Sequence, residues 1–281
     1  MKLVVKKKAK LLDYLYDNLD MPRKRIKQYL THGSIFVNQT KTKQFDYPLY
    51  TNDVITIDTN QKDKKNLSFP IIFEDEHILV VEKPSGLLTI ATNKEKEKTL
   101  YHIVREYVKQ TNKNNKIFIV HRLDKDTSGI VIFSKDEKTK KDLQENWNNY
   151  VSLREYVAVV HGRVNKHEGK IVEYLKETKT HLVYASKDKD GKEAITKYKV
   201  IKESNDYSLV QVIIETGRTN QIRVAFNNLG NPIVGDNKYG IKDNEKRLFL
   251  HANRLKIYYP VIKKEILFEI STPQDFKKKL R

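Results

Sequence analysis

Short apolar runs rich in β-branched residues alternate with polar segments along most of this chain, and only a few stretches repeat at helical spacing. Strands are predicted over residues 34–38, 54–57, 70–73, 78–82, 117–120, 130–133, 153–160, 196–203, 208–215, 248–251, 254–259 and 265–270. Helices are predicted around leucines 11, 12, 15 and 19 and over residues 23–30, 99–110, 136–149 and 219–229. Many strands at hairpin spacing with few helices favour the α+β class with a largely antiparallel or mixed sheet.

The same pattern divides the chain into two parts. Residues 61–68 (QKDKKNLS) have no apolar periodicity and are typical of a linker. We therefore predict a small unit over residues 1–60 and a larger domain over residues 69–281.

The net charge of the chain indicates a class of binding partner. The 54 Lys and Arg residues outnumber the 36 Asp and Glu residues, which gives a net charge of +18. Such an excess favours a polyanion such as nucleic acid, an anionic membrane or an acidic protein, although it also occurs in lysine-rich proteins where charge serves only solubility. Only 11 of the 54 are arginines, the residue suited to planar, two-pronged binding of phosphate or carboxylate.

Several classes of site lack their sequence signals. The chain has no cysteine, which excludes disulfides and thiolate chemistry, and it has neither an HExxH pattern nor a glycine-rich nucleotide-binding motif. We therefore expect no metal and no nucleotide cofactor. The apolar run at the start is too short for a signal peptide, and no run approaches the ~18 residues of a membrane span, so we expect a cytoplasmic protein without a membrane partner.

A dense polar cluster, HRLDKDTSG at residues 121–129, separates two predicted strands. Its simplest interpretation is a polar turn. Asp124 and Asp126 are also candidate nucleophiles or bases, which a nearby cation must keep ionised. Arg122 lies two residues before Asp124, on the same side of an extended segment.

Two further clusters are candidates for chemistry. In TGRTNQIR (216–223), Arg223 lies one turn inside a predicted helix, from which it can reach a pocket, although a surface salt bridge is the simpler interpretation. In REYVAVVHG (154–162), Tyr156 lies on a predicted strand and by pattern alone is a core aromatic residue.

These segments together resemble the RluA-type RNA pseudouridine synthases. The resemblance covers roughly residues 70–272 and consists of six motifs in the family's order, namely KPSG (83–86), HRLDKDTSG, REYVAVVHG, GRTNQIR, PIVGDNKYG (232–240) and LHA (250–252). It implies a catalytic domain with a large mixed, mostly antiparallel sheet flanked by helices.

The resemblance also assigns roles to residues. The family's catalytic aspartate falls on Asp124, its active-site tyrosine on Tyr156, and the arginine that pairs with the aspartate on Arg223. The implied substrate-binding residues are His121, Arg122, Arg218, Asn220 and Lys83. The chain departs from the family at Asn220 and Ala225, where histidines are usual, and these changes concern substrate contacts more than the chemistry.

Residues 1–60 are similar to the RNA-binding module named for ribosomal small-subunit protein S-four. The similarity rests on a basic helix followed by HGSIFVNQT, with Gln39 where glycine is usual. The resemblance implies RNA contacts from Arg23, Lys24, Arg25 and Lys27. A small helix–strand cap with a solvated basic face is the alternative.

The implied activity is isomerisation of uridine to pseudouridine in structured RNA, with the uridine flipped out of its stack. Asp124 is expected to act on the ribose or the uracil ring, and Tyr156 to stack on the uracil and help remove the C5 proton. The expected target is large-subunit ribosomal RNA rather than transfer RNA, with no cofactor, and the protein is expected to be a monomer. The alternatives are an inactive RNA-binding ribosome-assembly factor and a glycoside-type hydrolase that uses Asp124 and Asp126.

Overall fold

The structure is a computed structural model that describes residues 1–31, 33–58, 67–92, 95–188 and 190–280. The chain forms two compact units, one of Met1–Asn66 with Tyr107–Asn115 and the other of Leu67–Glu106 with Lys116–Arg281. His32 and most of the predicted linker lie outside the described residues. The division at residues 60 and 69 stays a prediction.

The amino-terminal unit contains two helices and two small antiparallel sheets. Its elements are β1 (Lys2–Val4), β2 (Ala9–Lys10), α1 (Leu11–Asn18), α2 (Arg23–Thr31), β3 (Ile35–Val37), β4 (Thr40–Thr42), β5 (Pro48–Leu49) and β6 (Val54–Ile57). One sheet has the strand order β1-β6-β3-β4, and β2 pairs with β5. The apolar faces of both helices meet these sheets in one core, which includes Leu11, Leu15, Ile26, Leu30, Ile35 and Ile55.

The β3–β4 connection is a two-residue hairpin turn made by Asn38 and Gln39. Both residues have positive φ angles, 48° and 67°, and Val37 pairs with Thr40 across the turn. Two positive φ angles in a two-residue loop are typical of a type I′ turn, which glycine normally favours at the second position. The departure at Gln39 therefore leaves the turn in place with a strained residue.

The rest of the chain is built on one large sheet. Its elements are β7 (Ile71–Glu74), β8 (Ile78–Lys83), α3 (Leu100–Lys109), β9 (Phe118–Ile119), β10 (Ser128–Ser134), α4 (Glu137–Glu145), α5 (Trp147–Tyr150), β11 (Val151–His161), β12 (Glu168–Glu177), β13 (Val183–Ala185), β14 (Lys192–Glu203), β15 (Tyr207–Ile214), α6 (Gln221–Asn228), β16 (Leu250–Tyr259), β17 (Lys264–Glu269) and α7 (Gln274–Lys278). No helix among the described residues has the length and apolar character needed to cross a membrane.

The eleven strands are arranged in the order β13-β12-β14-β15-β11-β16-β10-β8-β7, with β17 paired to β16 and β9 to β10. The β10–β16 pair is parallel, and the other described strand pairs of this sheet are antiparallel. This arrangement confirms the predicted α+β class with a mixed, mostly antiparallel sheet.

Two large apolar cores among the described residues of this unit pack against the sheet. One core joins α6 and the carboxyl-terminal helix α7 to strands β11, β14 and β15, and Phe226 and Phe276 are fully buried in it. The second packs α4 and α5 against β8, β10, β16 and β17. Burial of each such large side chain contributes about 1.5–3 kcal/mol, so the sheet is a rigid support for the loops at its strand ends.

The structure differs from the predicted elements at several points, which include the unpredicted short strands β1, β2, β4 and β5 and the helix α7. The helix predicted over residues 136–149 breaks at Asn146, whose backbone leaves the helical region. The two strands predicted around residue 253 form one strand, β16, in which the register with β11 shifts beside Asn253. Strands β12 and β13 were not predicted because charged residues in Glu168–Glu177 interrupt the apolar pattern near the edge of the sheet.

Candidate active site

A cavity of about 250 Å³ in the larger unit brings most of the predicted site residues together. Its walls come from the 121–127 loop, α5, β11 and the segment 217–223. The predicted site residues that line it are His121, Arg122, Asp124, Tyr156, Arg218, Asn220 and Arg223. Their roles are still predictions, but the geometry unites three motifs that lie far apart in sequence.

The loop that carries Asp124 is held from both sides by backbone-directed hydrogen bonds. Thr89 Oγ1 donates to the carbonyl of Leu123 over 2.7 Å, and Ser85 Oγ donates to the carbonyl of Asp126 over 2.6 Å. Where the loop joins β10, Gly129 has a φ of 123°, and a Cβ there would lie 2.2 Å from the carbonyl oxygen of Ala252. Only glycine allows this close approach, which lets β10 lie parallel to β16.

Asp124 is partly buried and its carboxylate is bound by a backbone amide. The N–H of Asn220 donates to Asp124 Oδ2 over 3.2 Å. Burial raises the pKa of Asp124, while the guanidinium groups of Arg223 and Arg122 and the Asn220 amide oppose that rise. These donors and cations favour the charged carboxylate in a site that otherwise disfavours charge.

Arg223 has a different partner from the one predicted. Its Nε and Nη2 donate to Asp236 over 2.8 and 2.6 Å, and both side chains are almost fully buried. Asp236 also accepts the backbone N–H groups of Lys238 and Tyr239. Within the described part of the chain no ion pair of 4.0 Å or less joins Arg223 to Asp124. Asp236 occupies the Nε–Nη2 edge of the guanidinium, so the predicted pairing is corrected to a longer-range interaction between the two charges.

Asn220 links the aspartate to this arginine pair. It has a left-handed backbone conformation (φ 53°) just before α6, which asparagine tolerates better than most residues. Its side-chain oxygen accepts from Arg223 Nη1 over 3.1 Å, and its amide nitrogen donates to Tyr239 Oη over 3.1 Å. Both ends of the Asn220 side-chain amide therefore bond to protein groups, and its contact with substrate stays a prediction.

Tyr156 lies on β11, between strands β15 and β16, and lines the same cavity. Burial, together with the negative charge of Asp124, raises its pKa to about 12, while Arg154 acts in the opposite direction. A phenol with that pKa is protonated at neutral pH, so Tyr156 presents an uncharged aromatic ring to the cavity.

His121 is held as a neutral ring. Its Nε2 accepts the backbone N–H of Ile132 over 3.1 Å, and its ring lies 4.7 Å from that of Trp147. Burial, with a smaller effect of Arg154, lowers its pKa to about 3. His121 therefore lines the cavity with an aromatic face rather than with a cation.

The prediction that Lys83 binds substrate is wrong. Its side chain is fully buried, and Nζ donates to the carbonyls of Pro84, Leu87 and Lys125 at 2.7–3.0 Å. All three ammonium protons are thus used inside the protein. Lys83 instead ties the KPSG turn to the loop that carries Asp124.

The exposed arginines of the site differ in their contacts. Arg122 lies exposed at the rim of the cavity, and Arg218 donates from Nε to the carbonyl of Glu193 over 2.9 Å. Arg154, Asp236 and Tyr239 were not predicted as site residues, although all three lie inside the quoted motifs. Arg154 is two residues before Tyr156 on β11, and this same-face spacing was the available signal.

The basic residues of α2 belong to the amino-terminal unit. Arg23, Lys24, Arg25 and Lys27 are all exposed. Arg23 lies 5.0 Å from the Tyr16 ring centre, and Arg25 Nε donates to Tyr29 Oη over 3.2 Å. Their contact with RNA stays a prediction.

Relatives of known class match this chain. Residues 77–228 match the family described as RNA pseudouridylate synthase. An uncharacterized RNA pseudouridine synthase of Mycoplasma genitalium is 32% identical over 97% of this chain and 92% of its own length. Ribosomal large subunit pseudouridine synthase D of Borreliella burgdorferi is 30% identical over 90% of this chain and 83% of its own.

The fold has solved counterparts. Human RNA pseudouridylate synthase domain containing 4 superposes with a TM-score of 0.64 at 22% identity, covering 77% of this chain and 94% of that one. Human RNA pseudouridylate synthase domain containing 1 superposes with a TM-score of 0.63 at 23% identity, covering 76% of this chain and 87% of that one. With the family match over more than half of the sequence, the chain belongs to the RluA-type RNA pseudouridine synthases, enzymes that isomerise uridine to pseudouridine in RNA.

Proposed function

We propose that the cavity around Asp124 is the site at which this enzyme isomerises uridine, with Asp124 as the catalytic residue. The observation that carries the proposal is the environment of its carboxylate, which is partly buried, bound by the Asn220 N–H and beside the neutral ring of Tyr156. Arg122 and Arg223 add positive charge without a direct ion pair to it. Burial raises the pKa of this carboxyl group, and the nearby donors and guanidinium groups oppose that rise and so favour the charged form that can attack carbon or accept a proton.

The reaction needs no redox partner, because product and substrate are isomers. The target uridine leaves its stack and enters the cavity, which exposes its C1′–N1 bond. Asp124 acts on the ribose or the uracil ring while that bond breaks. The uracil turns, C5 bonds to C1′, and the proton lost from C5 is balanced by one gained at N1. The enzyme is restored without any external group.

Tyr156 is assigned a stacking role rather than the removal of the C5 proton. Burial raises the pKa of Tyr156 to about 12, so the phenol is protonated at neutral pH. An un-ionised phenol is a weak base, whereas its ring offers a flat apolar surface to the uracil. The predicted help in proton removal is therefore dropped from the proposal.

The positive charge of Arg223 stabilises the ionised form of Asp124 without a direct hydrogen bond. Its guanidinium is fixed by Asp236 and by Asn220, and the Tyr239 ring lies 5.0 Å away. A cation that is already held in place stabilises negative charge without reorganising during the reaction.

The proposed target is large-subunit ribosomal RNA rather than transfer RNA, bound partly through an S-four-like amino-terminal module. A relative named ribosomal large subunit pseudouridine synthase D and the exposed basic face of α2 support this choice. We further propose that the protein works as a cytoplasmic monomer without metal or cofactor.

The test compares Asp124→Asn with Asp126→Asn. Purified wild-type protein is incubated with unmodified transcripts of large-subunit ribosomal RNA and of transfer RNA, and pseudouridine is quantified by mass spectrometry. Asp124→Asn should lose at least about 10³-fold in rate, because an amide neither attacks carbon nor accepts a proton. Its affinity for RNA should stay within about threefold.

The matched variant Asp126→Asn should lose much less, since no hydrogen bond joins its carboxylate to the Asn220 amide that binds Asp124. Equal losses in the two variants would reject the choice of Asp124. Wild-type protein that binds RNA without forming pseudouridine would favour an assembly factor, and release of free uracil would favour a hydrolase.

A further inference from the structure

Two arginines lie side by side where the Asp124 cavity opens into a neighbouring groove. Arg154 comes from β11 and Arg218 from the segment before α6, and both line the cavity and the groove of about 440 Å³ beside it. Gly217 lies between them: a Cβ at this position would lie 2.9 Å from Arg154 Nη1. The Arg154 guanidinium therefore lies across the backbone next to Arg218.

Neither guanidinium is neutralised by a carboxylate. Arg154 Nη2 donates to the backbone carbonyl of Glu215, and Arg218 Nε donates to that of Glu193. The Glu215 carboxylate is instead engaged by Lys197 at 2.5 Å and Lys170 at 3.7 Å. Across the described ranges, no Asp or Glu oxygen lies within 4.0 Å of either guanidinium.

An unneutralised pair of like charges is unfavourable unless an anion joins it. Burial and the charge of Arg218 both lower the pKa of Arg154, in line with the repulsion that the geometry shows. The carbonyl contacts fix part of each guanidinium and leave its other N–H groups free to bind a ligand. Two planar donors that face one groove suit a tetrahedral anion with several oxygens, such as a phosphate group.

We propose that Arg154 and Arg218 bind a phosphodiester of the RNA backbone next to the flipped uridine. The inference rests on the proposed function and adds a substrate contact, Arg154, together with a place where the strand leaves the cavity. The choice of RNA phosphate follows from continuity, because the groove and the cavity share Ile214, Gly217 and both arginines. When the base of a nucleotide occupies the cavity, the phosphates of that nucleotide lie near the residues that the cavity and the groove share.

Arg154 and Arg218 bind and position the RNA and take no part in the making and breaking of bonds. Phosphate contacts fix the register of a nucleic acid without reading its sequence. Loss of the pair should therefore weaken RNA binding and raise the RNA concentration for half-maximal rate, while the rate at saturation changes little.

The experiment uses Arg154→Gln, Arg218→Gln and the double variant. Arg163→Gln is the matched control, since Arg163 is exposed, the variant loses the same charge, and the Arg163 side chain donates to the Ser204 carbonyl and to Asn205 Oδ1. The first readout is fluorescence anisotropy with a labelled ten-nucleotide oligouridylate at several salt concentrations. Each single variant should weaken binding about tenfold and lower the salt slope by about 0.7, the value for one single-strand phosphate contact.

The second readout is single-turnover pseudouridine formation on the large-subunit ribosomal RNA transcript. The double variant should raise the half-saturating enzyme concentration by at least about tenfold with a saturating rate within about threefold of wild type. Variants that match Arg163→Gln in both affinity and salt slope, or that lower only the saturating rate, overturn the inference.

The two proposals fail in different ways. Loss of affinity and salt slope with an inactive wild type would reject the proposed function while the anion site remains. An active wild type with unaffected variants would reject the anion site alone. Circular dichroism and thermal melts of each variant keep misfolding separate from both outcomes.

Discussion

Arg223 and Asp236 form the most enclosed charge pair of the site, with 6% and 1% of their side chains exposed. Asp236 accepts two hydrogen bonds from the guanidinium and two from backbone N–H groups. These four donors offset the cost of burying the Asp236 carboxylate. The buried Arg223 guanidinium relies mainly on Asp236 for its own compensation. The electrostatic effect that we propose for Arg223 on Asp124 therefore depends on Asp236, which belongs to the PIVGDNKYG motif.

Removal of that partner should be costly. Asp236→Asn leaves the buried guanidinium without its counter-ion, so we expect a loss of about 3–5 kcal/mol in the free energy of unfolding, measured in urea. Asp206→Asn, at an exposed position, is the control and should change it by less than about 0.5 kcal/mol. If Asp236→Asn is as stable as the control, the pair does not anchor Arg223.

At the scale of elements, the sequence predicted strands and helices best where one periodicity was unbroken. The helix predicted over residues 219–229 correctly allowed Arg223 to reach the cavity. In α6, Ile222 and Phe226 lie in the core, whereas Leu229, at the helix end, is 38% exposed. The Arg223–Asp236 pair was missed because it depends on how the loop after α6 folds back, which spacing along the chain does not specify.

The β3–β4 turn offers a test of local strain. Gln39→Gly should increase the stability of the amino-terminal unit by about 0.5–1 kcal/mol, because the left-handed region costs about 1–2 kcal/mol for a residue with a Cβ, less the entropy cost of glycine. Hydrogen exchange of the β3 and β6 amides measures this change.

The same substitution at an exposed helical position gives the opposite expectation. Gln28→Gly in α2 should lower the stability by about 1 kcal/mol, because glycine is a poor helix former. A decrease in protection at both positions would show that Gln39 is not strained by its backbone.

Across the whole molecule, positive charge is divided between two residue types. The 43 lysines supply a diffuse positive field, while four of the 11 arginines line the Asp124 cavity. Arginine, whose planar group can form paired hydrogen bonds, is therefore concentrated at the cavity, while most of the positive charge comes from lysine. The composition predicted a polyanionic partner, but only the folded chain shows which arginines meet.

Acid should destabilise the fold through its enclosed histidines. His251 is fully buried, its Nδ1 lies 2.8 Å from Ser128 Oγ, and burial lowers its pKa to about 4. The unfolded chain, with a histidine pKa near 6.5, binds more protons below that pH, so stability is complete above about pH 6.5 and is lost as the pH falls towards 4. At 1.36 kcal/mol per pH unit, His251 accounts for a loss of about 3 kcal/mol.

A comparison of variants separates the contribution of His251 to acid destabilisation from that of the carboxylates. Urea unfolding at pH 7 and pH 4 should show a pH-dependent loss about 3 kcal/mol smaller in His251→Asn than in wild type, even though the variant starts less stable because its contact with Ser128 changes. His167→Asn, at a side chain 76% exposed, should lose as much as wild type. Equal losses in all three proteins would mean that His251 is protonated in the folded state without cost, which its enclosure beside Phe276 and Arg247 opposes.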